Sequence, residues 1–150
     1  MDLRREIAAN CRRIVDLSMI ADQAVAIPCF NRPDALETVI NSLPLSRLSH
    51  VYISVDGPTV RYRQERNSCL TMAFDFARSQ RGLVTVIDHR ENYGAASNVL
   101  STADLVFHHH AEGVVLEDDC VPIPEFFDFV HQAMNHHESD PCVLLACGSQ

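Results

Sequence analysis

The sequence predicts an α/β fold, a three-layer α/β/α sandwich on a mainly parallel sheet. Three observations predict it. Short apolar runs recur about every 28 residues with helix-spaced segments between them, the pattern of βαβ units. The runs are continuous rather than alternating, as strands covered on both faces are. The first four runs each end in polar residues, where an open α/β sheet binds its ligands.

The elements follow in order. Leu3, Ile7, Cys11, Ile14, Val15 and Ser18 fall at helical spacing and predict an amphipathic helix within residues 2–20. Val25 to Phe30 reads as the first strand, with Pro28 marking its end. Asn31-Arg32-Pro33-Asp34 opens a helix through Leu43, with Pro33 near the first helical position and Leu36, Val39, Ile40 and Leu43 on its buried face. Val51 to Val55 is a second strand, stopped by Asp56-Gly57-Pro58. A helix from about Arg61 to Arg78 presents Leu70, Ala73, Phe74 and Ala77. Gly82 precedes a third strand, Leu83 to Ile87, and the polar loop Asp88 to Gly94 leads into a helix carrying Val99, Leu100, Ala103, Val106 and Phe107. Val114-Val115-Leu116 is a fourth strand running into Glu117-Asp118-Asp119. Pro122 and Pro124 introduce a helix with Phe127, Val130 and Met134, and Val143 to Ala146 is a fifth strand. One domain over residues 1–150 is expected, with an N-terminal helix at 1–20 and a βαβ core at 24–147.

Composition narrows the function. All twelve basic residues are arginine. The absence of lysine removes a Walker A lysine, a Schiff-base lysine and the lysine of a receiver-type phosphoacceptor site. No G-x-G-x-x-G follows any strand, which disfavours a Rossmann dehydrogenase. A net charge of −8 argues against a nucleic-acid partner. With 47% hydrophobic and 21% charged residues, the chain has the balance of a folded globular domain rather than a disordered one. No run reaches the ~20 apolar residues of a membrane span. Arg12, Arg13 and Asp16 interrupt any signal core. Six scattered cysteines without a C-x-x-C pair read as reduced thiols, so a cytoplasmic location is expected.

Chemistry is expected at the strand ends. Glu117-Asp118-Asp119 is the strongest feature: three adjacent carboxylates repel one another, and the triplet reads either as a solvated acidic loop after the strand or as ligands of a divalent cation that neutralises them. Alternation along a strand puts Glu117 and Asp119 on one side and Asp118 on the other. Asp56 reads either as a turn residue or as an acceptor for donors of a base or sugar. Arg90 reads either as a surface charge or as a diphosphate clamp; Asn92 and Gly94 precede a helix N-terminus able to face a phosphate, with Gly94 otherwise a turn glycine. His108-His109-His110 and His136-His137 lie at predicted helix ends, where positive side chains are favoured, and are read as helix ends rather than metal ligands.

These residues resemble the GT-A fold glycosyltransferases of the family 2-like and N-acetylglucosaminyltransferase I-like type. The first strand ends in Pro28-Cys29-Phe30-Asn31-Arg32, the second in Asp56-Gly57-Pro58, and Asn92-Tyr93-Gly94 with Asn98 follows the third. Glu117-Asp118-Asp119-Cys120-Val121-Pro122, then Pro124, Phe126 and Phe127, is similar to that family's metal-binding DxD region. The resemblance covers residues 24 to about 137. It implies Mn²⁺ or Mg²⁺ held by Asp119 with Glu117, and a ribose or sugar contact from Glu117 or Asp118. It places the uracil at Asp56, and the base and ribose pocket along Pro28, Phe30, Asn31 and Arg32. Arg90, Asn92, Gly94 and Asn98 would complete the donor site. The implied reaction transfers a sugar from a nucleoside diphosphate sugar, UDP-linked, to an acceptor hydroxyl.

Two departures accompany the resemblance. Ser97-Asn98 stands where the family often carries Arg-Asn. The five strands also look like the first part of a larger sheet. The acceptor portion, with the carboxylate that deprotonates the acceptor, is therefore expected to be missing, and the catalytic base is unknown. Homo-oligomerisation would cover the edge such a sheet leaves. The alternative is a non-catalytic GT-A-like module that binds a nucleotide or a protein.

Overall fold

A computed structural model describes residues 23–137. The helix expected within residues 2–20 and the strand expected at Val143 to Ala146 lie outside the described residues. Four strands, β1 (Gln23–Cys29), β2 (Leu48–Val55), β3 (Val84–Asp88) and β4 (Gly113–Val115), form one sheet in the order β3-β2-β1-β4. Every pairing is parallel. Four helices connect and flank them: α1 (Pro33–Ser42), α2 (Arg63–Ser79), α3 (Ala95–His109) and α4 (Phe126–His137).

The side chains of β1 show why the fold has three layers. Val25, Ile27 and Cys29 face a core shared with Leu36, Val39 and Ile40 of α1, Cys69 and Ala73 of α2, and Phe127 of α4. Ala24 and Ala26 face the other way, against Val106 of α3. The period of two within a strand thus feeds two separate cores. Small alanines on one side let α3 lie close to the sheet, while branched residues fill the other.

Local sequence fixes the helix ends. Pro33 supplies the pre-set φ of a first helical residue, and Asp34 complements the positive end of α1. Leu43 is extended because Pro44 follows, so α1 stops there. The face expected for α1 is the buried one, and each of Leu36, Val39 and Ile40 contributes about 1.5–3 kcal/mol of burial.

Three expectations change. The buried stripe of α2 is Arg66, Cys69 and Ala73, and Phe74 is exposed. The buried stripe of α3 is Asn98, Thr102 and Val106, whereas Leu100 and Phe107 are exposed. In both helices the apolar count pointed to one face, while hydrogen bonding at the strand ends drew polar residues to the buried one. The third change concerns Pro28. It does not end β1, which runs on to Cys29 against β2. It ends the pairing with β4: the Leu116 N–H donates to the Ala26 carbonyl at 2.9 Å, and the next rung would need an N–H that Pro28 lacks. β4 therefore leaves the sheet at Leu116, and the acidic triplet begins there.

Candidate functional site at the carboxyl ends of the strands

The strand order places β2 and β3 on one side of β1 and β4 on the other. The carboxyl ends of β1 and β4 thus border the point where the connections change direction, the usual ligand crevice of an open α/β sheet. Arg32 follows β1, and Asp118 and Asp119 follow β4. One guanidinium nitrogen of Arg32 pairs with Asp118 and the other with Asp119, so two carboxylates converge on a single cation across this crevice. Asp118 is 3% exposed, while half of the Arg32 side chain and nearly half of the Asp119 side chain reach solvent.

The alternation expected of the triplet is present in burial: Glu117 and Asp119 are exposed, and Asp118 is buried. The carboxylates that meet on one cation are those of Asp118 and Asp119. Glu117 joins neither bridge. Burial pushes the Asp118 carboxyl above its ordinary value, against the pull of Arg32 and of the Phe30 N–H. Burial of Arg32 is outweighed by Asp118 and Asp119, which raise its pKa.

The second half of the rim is built around Asp56, 2% exposed at the end of β2. Its carboxylate accepts four N–H groups: Gly57 N at 2.8 Å, Tyr93 N at 2.9 Å, Gly94 N at 3.0 Å and Asn92 Nδ2 at 3.0 Å. That fills the acceptor capacity of a carboxylate. Asp56 sits where an anion would at the N-terminus of α3, supplied by the chain itself. Two glycines permit this closure. A Cβ on Gly57 would lie 2.0 Å from the Glu91 carbonyl carbon, and Gly94 holds φ +80, a conformation side chains resist.

Arg66 clamps the same region. It is 4% exposed, donates from Nε to the Asp56 carbonyl at 2.9 Å and from Nη2 to the His89 carbonyl at 3.1 Å, and pairs through Nη2 with Asp88. Asn98 lies beneath, 3% exposed. Its amide donates to the carbonyls of Cys29 and Ser54, each at 3.2 Å, and its oxygen accepts the Ser54 hydroxyl at 2.6 Å. Asn98 thus ties α3 to β1 and β2 below the rim surface.

Other predicted residues divide as follows. Pro28 is buried in β1. Phe30 meets the Tyr62 ring edge-on at 5.9 Å, and Asn31 is half-buried beside Arg32. Arg90 is exposed and makes no ion pair or hydrogen bond among the described residues. Asn92 spends its amide on Asp56 and on the Gly57 carbonyl. His108, His109, His136 and His137 occupy the last turns of α3 and α4, as expected. Cys29 and Cys69 are buried free thiols; burial raises both, Cys69 to about 11.

Sequence reasoning missed Arg66, and it marked His89 only as part of the polar end Asp88-His89-Arg90 of the third strand. Arg66 stands three residues before Cys69 and seven before Ala73, on the buried stripe, and that spacing was the available signal. His89 Nε2 and the Ser54 hydroxyl share a hydrogen bond of 2.9 Å, and the His89 ring lies edge-on to Tyr93, with ring centres 5.2 Å apart. A shallow groove of about 950 Å³ runs along the outer face of α2, lined by Arg61, Gln64, Asn67, Thr71 and Asp75. It is separate from the strand ends and has no comparable convergence of carboxylates on a cation.

Among the described residues no three His, Cys, Asp or Glu side chains converge as a self-sufficient metal cage. The chemistry of the donor set nevertheless fits a hard divalent cation. Two carboxylates already share one positive charge, and Mg²⁺ or Mn²⁺ commonly takes one or two protein carboxylates and completes its shell with phosphate oxygens and water. Among the described residues no helix is long and apolar enough to cross a membrane. Comparison of the chain with family models, curated proteins and solved structures finds no match.

Proposed function

We propose that this chain is the donor-binding portion of a metal-dependent glycosyltransferase that transfers a sugar from a nucleoside diphosphate sugar, UDP-linked, to an acceptor hydroxyl. The observation that carries the reading is the convergence of Asp118 and Asp119 on one cation at the switch point between β1 and β4. Asp118 and Asp119 would hold Mn²⁺ or Mg²⁺, which supplies Lewis-acid stabilisation of the departing diphosphate when bound. Arg32, half-exposed and planar, is placed to exchange its carboxylates for diphosphate oxygens. Phe30 and Asn31 would line the base and ribose pocket beside it. The buried network of Asp56, Arg66 and Asn98 holds the rim in position and excludes water beneath it.

The test is a titration of nucleoside diphosphates with and without Mn²⁺. UDP with Mn²⁺ is expected to stabilise the fold by ~1–3 kcal/mol when well above its Kd, and Asp119→Ala is expected to abolish the effect. If no common nucleoside diphosphate shifts the melting temperature, the reading fails.

A second reading, a non-catalytic nucleotide-binding module of the same fold, draws on one observation. Asp56 and Asn98, both donor-binding residues by resemblance, are occupied by internal hydrogen bonds. Nucleotide binding without sugar transfer to any acceptor alcohol would favour it.

A further inference from the structure

The hydrogen bonds under the rim determine which nitrogen of His89 carries its proton. Asn98 donates both amide hydrogens to the carbonyls of Cys29 and Ser54, so its oxygen must accept. The Ser54 hydroxyl has one hydrogen and gives it to that oxygen at 2.6 Å. Towards His89 Nε2, 2.9 Å away, Ser54 therefore has only a lone pair to offer. In the neutral ring the proton sits on Nε2, and Nδ1 is left as an acceptor. Nδ1 has no hydrogen-bond partner among the described residues, and it is not an enclosed orphan, since Ser49 Oγ is the one such side-chain atom among them. Tyr93, more than half exposed, holds its ring edge-on to the imidazole, with centres 5.2 Å apart.

We propose that His89 is a nucleoside-recognition residue, its Nδ1 accepting a hydrogen bond from the base or ribose while the Tyr93 ring offers a stacking face. The proposal rests on the nucleotide reading given above. It supplies the acceptor that Asp56, with its four N–H partners, does not leave open. Asn98 and Ser54 act as positioning residues, fixing the tautomer from below. An exposed aromatic face stacks any base, whereas a single lone pair selects a ligand with a donor, either the imide N–H of uracil or a ribose hydroxyl.

Two measurements test this. Nitrogen-detected NMR of the ligand-free chain at pH 8.5 is expected to show His89 as the Nε2–H tautomer; an Nδ1–H tautomer would overturn the proposal without reference to any ligand. Calorimetric titration in Mn²⁺ then compares UDP, CDP and 2′-deoxy-UDP. His89→Phe is expected to weaken UDP about tenfold, the scale of one hydrogen bond in a partly enclosed site. His89→Asn, which keeps an acceptor near the Nδ1 position, is expected to recover part of that loss. Tyr93→Leu, at an exposed position that folding tolerates, is expected to weaken all three ligands alike. If CDP binds wild type as weakly as UDP binds His89→Phe, the imide is the donor; if 2′-deoxy-UDP does so, the ribose is. UDP binding that is unchanged in folded His89→Phe and His89→Asn overturns the assignment of His89 alone. Absence of any nucleotide binding to wild type overturns the nucleotide reading and the ligand assigned to His89 together, while the tautomer remains separately measured.

Discussion

Two carboxylates are buried at the strand ends, and they are held in opposite ways. Asp56 is surrounded by four neutral N–H donors, three from the backbone of Gly57, Tyr93 and Gly94 and one from the Asn92 side-chain amide. Asp118 is paired with a guanidinium on a side chain that is half in solvent. The first arrangement is a lock, because its three backbone donors cannot leave without breaking the loop. The second is exchangeable, because Arg32 can swing away and another cation can take its place. One rim thus combines a rigid half on β2 and β3 with a labile half on β1 and β4.

The largest effect should come from the clamp under the rigid half. Arg66→Met is expected to cost about 3 kcal/mol, because it leaves the Asp56 and His89 carbonyls without their buried donor, while half-exposed Asp88 turns to solvent; urea unfolding measures it. A cost below 1 kcal/mol would show that the rigid half is not rigid. Asp56→Asn should cost about 2–3 kcal/mol, since an amide brings hydrogens against N–H groups already pointing at it. Neither loss should be restored by Mn²⁺.

The labile half should behave differently. Arg32→Gln is expected to cost about 2 kcal/mol, because it leaves the buried Asp118 carboxylate without its cation, while Asp119 is nearly half in solvent, and Mn²⁺ should stabilise this variant more than wild type because its internal competitor is gone. Equal stabilisation would break the contrast between the halves. Asp118→Asn should slightly raise the melting temperature at pH 7 while removing the response to Mn²⁺. The sign follows from the raised pKa. The folded state holds the Asp118 proton more tightly than the unfolded chain, so this group's contribution falls as pH rises through its folded pKa, and a neutral isostere avoids that loss.

The smallest effect lies at the opposite end of the sheet. There His50 bonds Thr85 at 2.8 Å, and its ring stacks with that of His110 at 6.2 Å. Burial, then His110 and His109, lower its pKa below 6.5. Stability from this group is full above about pH 6.5 and is lost as pH falls towards the folded value. Melting curves between pH 7.5 and 5 should show a shallow decline that His50→Leu flattens.

Much of the fold was legible because Val25 to Phe30 and Val51 to Val55 are short, mainly apolar runs and α1 has Pro33 at its start. The face of α3 was not, because Asn98 and Thr102 are buried by hydrogen bonds to the strands, and hydropathy does not register those. For the same reason hydropathy does not mark Arg66 as buried. The acidic triplet was visible as a run of charge, but its partner Arg32 is 86 positions away from Asp118 and 87 from Asp119. Only the parallel order β1-β4 brings them together. His89 and Arg90 are adjacent in sequence, and nothing local says which one the Ser54 hydroxyl will engage.

Pro28 has one more consequence. A missing rung in a central strand divides the sheet into parts that need not open together. β1 and β2 remain joined along their length, while β4 is attached through three residue pairs and a last bond at Leu116. In amide hydrogen exchange, β4 is the strand expected to exchange through local opening, well before β1 and β2, which report global unfolding. The acidic turn would then ride on the sheet's most readily detached segment, and a ligand that bridges Arg32 to Asp118 and Asp119 would slow exchange there first.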